Sequence, residues 1–191
     1  MKQVTTLEDF VKNVIKYLGS GYKYYKVVKI PRKKRTKTAQ ICEKIEKYYS
    51  TSISRGKRQY RRKKGLANYG AVNFRDTIVI LRTSGEHTDK EKEFKTFKNL
   101  TVEISEHLGL IFFKNEFDRF TVRLDRLTFR RFREDFYIAI KNNQKRNYDK
   151  LKSMWLNLPR FKGIGTQGKE LNKQIKKQLK TFKRNWKSLY S

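Results

Sequence analysis

The chain has 191 residues, with 48 Lys and Arg against 18 Asp and Glu, a formal charge of +30 at pH 7. No run of about 18 apolar residues occurs, so no membrane-spanning helix is expected. The single cysteine, Cys42, excludes a disulfide framework and any multi-cysteine zinc site. Such a charge repels itself unless a polyanion neutralises it, and an aromatic content of 14% supplies area for a core where a disordered basic tail would not. The opening MKQVTTLEDF has acidic residues and no apolar signal core, so no signal peptide is read there. An intracellular location, cytoplasm or nucleoid, is expected.

In chain order, Leu7, Phe10, Val11, Val14, Ile15 and Leu18 recur at helical spacing, with Thr6 as cap and Gly19 as the left-handed stop. Residues 22–30 alternate as a strand that Pro31 ends. Arg32–Lys37 reads as a basic turn before a helix carrying Ile41, Ile45, Tyr48 and Tyr49, on which Cys42 is a small buried residue. Residues 55–64 lack apolar periodicity and read as a loop. Tyr69–Phe74 and Thr77–Thr83 are expected strands, the second nearly continuous in apolar residues and therefore central in a sheet. Thr88-Asp-Lys-Glu91 is a capping box that predicts a short helix to about Lys98.

Three more strands are expected at Thr101–Ser105, Leu108–Phe113 and Phe117–Leu124. Asp125 then caps a helix with Phe129, Phe132, Phe136 and Ile140 on one face. Tyr148, Leu151, Trp155 and Leu158 mark the next helix. Pro159 and a glycine-rich loop break the pattern. A long terminal helix is expected to carry Leu171, Ile175, Leu179, Phe182, Trp186 and Leu189. The fold class is therefore α+β: an antiparallel or mixed sheet of about five to six strands packed by helices, with a basic helical C-terminal part. The wholly polar stretch 142–147 divides an α+β nucleic-acid-binding domain (1–141) from a basic helical extension (142–191) packed on or next to it.

The densest basic segment is 55–64, where Arg55, Lys57, Arg58, Arg61, Arg62, Lys63 and Lys64 surround Tyr60. Closely spaced cations suit a phosphate backbone, and Tyr60 is placed to stack on an unpaired base. Arg32, Lys33, Lys34 and Arg35 form a shorter set. Arg130 and Arg131 lie beside an apolar helix face, with pairing to Glu134 and Asp135 as the alternative. Lys176, Lys180, Lys183 and Arg184 lie in a segment with no acidic residue after Glu170. Gly163, Gly165 and Gly168 spell G-x-G-x-x-G. The strand before it and the acidic residue about twenty positions after it, which a dinucleotide site needs, are missing. The motif is better read as a hinge, or as a loop whose amides meet a nucleic-acid phosphate.

These features predict a non-enzymatic nucleic-acid-binding protein with no cofactor and no metal, a component of a ribonucleoprotein or mobile-element complex. RNA or single-stranded DNA is favoured over duplex, protein partners within the complex are allowed for, and no membrane partner is expected. The competing reading is a divalent-metal nuclease using Asp76, Glu86 and Asp89, because such chemistry needs two or three converging carboxylates.

Overall fold

The computed structural model describes residues 1–87 and 93–190. It begins with β1 (Lys2–Val4) and α1 (Leu7–Gly19). The Thr6 hydroxyl accepts the Asp9 amide at 3.0 Å, and Phe10, Val11, Val14 and Leu18 are buried along one stripe. The expected stop moves two residues on: the left-handed conformation belongs to Gly21 (φ +85°), and Gly19 is still helical.

After β2 (Tyr22–Lys29), Arg32–Lys37 forms a 3-10 turn leading into α2 (Thr38–Tyr49). The basic segment expected as a loop is a helix, α3 (Arg55–Lys63), capped by Ser54 and closed at Lys64, with Gly65 at φ +71°. β3 (Tyr69–Phe74) and β4 (Thr77–Thr83) make a hairpin, and β5 (Lys95–Thr96) follows. The Thr88–Glu91 capping box lies outside the described residues. The helix expected to run on to Lys98 is replaced at 95–96 by a strand paired with β2.

These strands form a five-stranded sheet in the order β1-β3-β4-β2-β5, mixed because β1 runs parallel to β3. β4 is central, as its continuous apolar run requires. β1 and β5 are too short to leave a periodic signal. A second, antiparallel sheet comprises β6 (Leu100–Ser105), β7 (Leu108–Lys114) and β8 (Phe120–Leu124). β8 begins three residues later than expected, because Asn115 and the left-handed Asp118 turn the chain first. The fold is α+β.

Three helices complete it: α4 (Arg126–Lys141), α5 (Lys145–Leu156) and α6 (Lys162–Thr181). Asp125 caps α4, its carboxylate accepting the Thr128 amide at 2.7 Å. One apolar cluster runs from Phe10 and Val14 on α1 through Leu110 and Phe112 on β7 to Phe136, Leu171 and Leu189. A smaller one, with Ile30, Cys42, Ala71, Ile78 and Ile80, sits under α2 on the other face of the five-stranded sheet. Burial pushes the Cys42 thiol above its ordinary range. Among the described residues, no helix is long and apolar enough to cross a membrane.

The terminal helix ends at Thr181, short of its expected reach. Lys183 adopts φ 52°, and the chain folds back along α5. The Leu189 amide donates to Asn172 Oδ1 at 2.9 Å, and the Tyr148 hydroxyl donates to the Lys187 carbonyl at 2.8 Å. Trp186 therefore meets Tyr148, at 5.2 Å between ring centroids, from a non-helical segment.

The glycine motif is likewise no loop. Gly163, Gly165 and Gly168 all lie within α6. α6 covers the edge of β8, with Gln167 accepting the Leu124 amide (2.8 Å) and donating to its carbonyl (3.1 Å), as a neighbouring strand would. A Cβ on Gly163 would collide with the Val122 carbonyl, and one on Gly168 with the Tyr190 hydroxyl. Among the described residues, nothing lies within 4 Å of a Cβ on Gly165. We expect Gly165→Ala to stabilise the fold by about 0.5–1 kcal/mol through helix propensity. Gly163→Ala should cost about 1–3 kcal/mol, because the helix must move off the strand. Thermal unfolding of the two variants checks this, and equal shifts of the same sign would contradict it.

Candidate nucleic-acid interface

α3 has an unusual basis for a helix. None of its residues is buried, so no apolar stripe holds it to the protein. Two arginines do so instead. Arg58 donates to the Tyr22 hydroxyl at 2.8 Å and the Tyr69 carbonyl at 2.7 Å, and also to the carbonyls of Thr51 and Ile53. Arg61 forks onto the Ala67 carbonyl at 3.0 and 2.7 Å. Asn68 returns a bond to the Arg58 carbonyl at 3.0 Å. Spaced three apart, the two arginines share the inward face. They therefore leave the set of freely available cations in which the sequence placed them.

The outward faces keep Arg55, Lys57, Arg62, Lys63 and the closing Lys64, all exposed. Tyr60 stands among them with 62% of its surface in solvent. Arg62, Lys63 and Lys64 at the C-terminal end complement the helix dipole, whereas Arg55 and Lys57 in the first turn oppose it. No acidic residue occurs between Glu46 and Asp76, so α3 has no carboxylate within its own stretch of chain.

The 3-10 turn lies at the other end of the sheet. Arg32, Lys33 and Lys34 are exposed there. Arg35 is not free: its guanidinium pairs with Asp76 at 2.6 Å, while Lys29 pairs with the other oxygen at 2.9 Å. Partial burial of the Asp76 carboxyl by itself pushes its pKa up. The hydrogen bonds and charges of Lys29 and Arg35 outweigh that and hold it below the ordinary aspartate value. A carboxylate depressed in this way contributes stability above its unfolded pKa, and the contribution is lost as pH falls through the folded value. Both cations are about half exposed, which screens the pairs.

The remaining candidates divide in the same manner. Arg130 pairs with Glu134 at 2.7 Å, the alternative weighed from sequence. Arg131 donates to the Glu106 carbonyl at 2.9 Å and meets His107, not Asp135. Arg184 donates to the Ile140 and Lys141 carbonyls, closing the C-terminal end of α4. Lys176, Lys180 and Lys183 are exposed.

Of the carboxylates of the nuclease reading, Asp76 and Glu86 do not converge. Asp76 precedes β4 and Glu86 follows it, so a seven-residue strand of about 20 Å separates them. Asp89 lies outside the described residues. Among the described residues no group of three His, Cys, Asp or Glu side chains is placed to hold a metal ion. Asp76→Asn is expected to lower stability at neutral pH by about 1–2 kcal/mol. The deficit should close in acid, where the wild-type carboxylate also protonates, and Glu86→Gln should change little. Unfolding midpoints against pH, with nucleic-acid binding measured alongside and expected to hold in both variants, check this. Metal-dependent cleavage by the wild type that either substitution abolishes would instead restore the catalytic reading.

The fold and site thus define an α+β protein with a basic helix pinned by arginines and basic surfaces at both ends of its larger sheet. No family model, curated protein or solved structure matches the chain.

Proposed function

We propose that this protein binds nucleic acid without acting on it, favouring RNA or single-stranded DNA, as a component of a ribonucleoprotein or mobile-element nucleoprotein complex. The observation that carries the reading is α3: a helix with no buried residue, no acidic residue and four exposed cations on its outward faces. Like charges on neighbouring turns destabilise a helix, and an anionic partner offsets that. Phosphate contacts by these cations, the 3-10 turn and the lysines near the C-terminus supply affinity without sequence preference. A location in the cytoplasm or nucleoid follows from that reading.

Single strands are favoured because Tyr60 exposes a ring between cations, where an unstacked base can lie on it. One observation favours duplex instead: 55–63 is a helix, and the major groove, about 12 Å wide, admits one. Tyr60 separates the two. Tyr60→Ala should weaken single-strand binding by about tenfold or more, since stacking contributes about 1–3 kcal/mol per base. Duplex binding should hold, and Tyr60→Phe should retain most of the affinity. Anisotropy titrations of labelled RNA, single-stranded DNA and duplex, with and without Mg²⁺, test the reading. Absence of binding to all three would overturn it.

A further inference from the structure

The inward edge of α3 does more than hold the helix. Together with β1, α1 and the start of β2 it encloses a hollow of about 840 Å³. Five cations line it from three separate elements: Lys2 from β1, Lys16 from α1, and Arg55, Arg58 and Arg62 from α3; Arg58 is engaged by Tyr22 and backbone carbonyls and Lys2 by Asn13. Among the described residues, no carboxylate and no histidine lines it. The Tyr22 hydroxyl, which accepts from Arg58, keeps its own proton to donate, and the Gln59 amide adds a further donor, whereas the Ser20 hydroxyl spends its proton on the Lys16 carbonyl at 2.7 Å. Burial raises the Tyr17 hydroxyl pKa and the Arg58 charge draws it back, so it too is a neutral donor at physiological pH.

Such a hollow differs from the outward faces of α3. A strand crossing a convex surface presents single-charged diesters that continue in both directions. A concavity walled on several sides has room for the end of a strand. A terminal phosphomonoester carries close to two charges at pH 7 and three strong acceptor oxygens. The density of donors here matches that group better than a diester. The volume falls within the usual range for small-ligand pockets, about 300–1,000 Å³, so a terminal nucleotide fits with its phosphate.

The geometry points to a site for the terminal phosphomonoester of a nucleic-acid strand in the hollow between α1 and α3. It rests on the nucleic-acid-binding reading and specifies which part of the strand is held. Lys16 and Arg62 supply charge from opposite walls; Arg62 also belongs to the outward set of α3, so Lys16, exposed on α1, is the residue that can be changed without disturbing the core or that set. Arg58 also holds α3 in place and is unsuitable as a probe.

The test compares one single-stranded RNA sequence carrying a 5′-phosphate, a 3′-phosphate or hydroxyls at both ends, titrated onto the full chain. One phosphorylated end is expected to bind about tenfold tighter than the hydroxyl-ended strand. Lys16→Gln, with an unchanged unfolding midpoint, should remove most of that preference while hydroxyl-ended binding changes little. The preference should also shrink below about pH 6, where the monoester gains a proton. Equal binding of the three strands overturns the terminal-phosphate site and leaves nucleic-acid binding standing. Failure of all three to bind overturns both. A free nucleoside monophosphate binding as tightly as the phosphorylated strand would make the hollow a small-molecule site and contradict strand-end recognition.

Discussion

Raising salt from about 50 to 200 mM is expected to weaken binding by roughly 10³–10⁵-fold, the loss that accompanies about 6–10 phosphate contacts. The exposed set supports that count. Arg32, Lys33 and Lys34 are available on the turn, and Arg55, Lys57, Arg62, Lys63 and Lys64 on α3. The remaining arginines of those segments are spent internally, Arg35 on Asp76 and Arg58 and Arg61 on backbone carbonyls and the Tyr22 hydroxyl. α3 bonds to the start of β2 and β3, whereas Arg35 meets Asp76 beyond the far end of β3. A ligand touching both basic surfaces therefore spans the length of β2, about 25 Å. A ligand confined to α3 would show a shallower slope than one that reaches the turn. Titration across that salt range reads the slope directly, and a flat affinity would rule out phosphate contact as the source of binding.

Phe136→Ala is expected to cost about 3–5 kcal/mol. Its ring is fully buried on α4 and meets Tyr148 of α5 edge-on, with centroids 5.5 Å apart. Tyr148 is itself buried, its hydroxyl pushed up to about 12, chiefly by burial and secondarily by the charge of Asp149. Truncating Phe136 opens a cavity at the junction of α4, α5 and the C-terminal segment, where relaxation is limited by Trp186 on the other side of Tyr148. Arg58→Gln should also destabilise, since it removes the bonds that hold α3 to Tyr22 and Tyr69. Gln substitutions at Arg55, Lys57, Arg62, Lys63 and Lys64 should leave the unfolding midpoint close to wild type. Chemical denaturation of the three variants separates core, anchor and interface. A large loss of stability in the five-residue variant would make its cations structural.

What could be read from the sequence was whatever apolar spacing or a cap encodes locally. The stripe on α1, the Asp125 cap and the uninterrupted apolar run of β4 each depend on neighbours within a few residues, and each is found where expected. α3 was missed because it is anchored by polar atoms, so its inward face carries no hydrophobic period. The signal present was Ser54 as cap, Arg58 and Arg61 three apart, and Gly65 as stop. The glycine motif misled for the opposite reason. Its local pattern suggests a turn, whereas Gly163 is required by a carbonyl some forty residues earlier in the chain. The C-terminal reversal likewise depends on Asn172 capturing the Leu189 amide, which no local pattern announces. The basic surface was legible as charge. Which arginines are free and which are engaged became visible only with the fold.

The most direct test is binding of a labelled single-stranded RNA to the wild type and to the variant carrying Gln at Arg55, Lys57, Arg62, Lys63 and Lys64, at several salt concentrations. The variant should bind at least about tenfold more weakly at low salt. Its salt slope should be shallower by up to about 3.5, five cations at about 0.7 each on a single strand, with the unfolding midpoint unchanged. Equal affinity and equal slope in the two proteins would contradict the account, because α3 would then carry its charge for something other than nucleic acid.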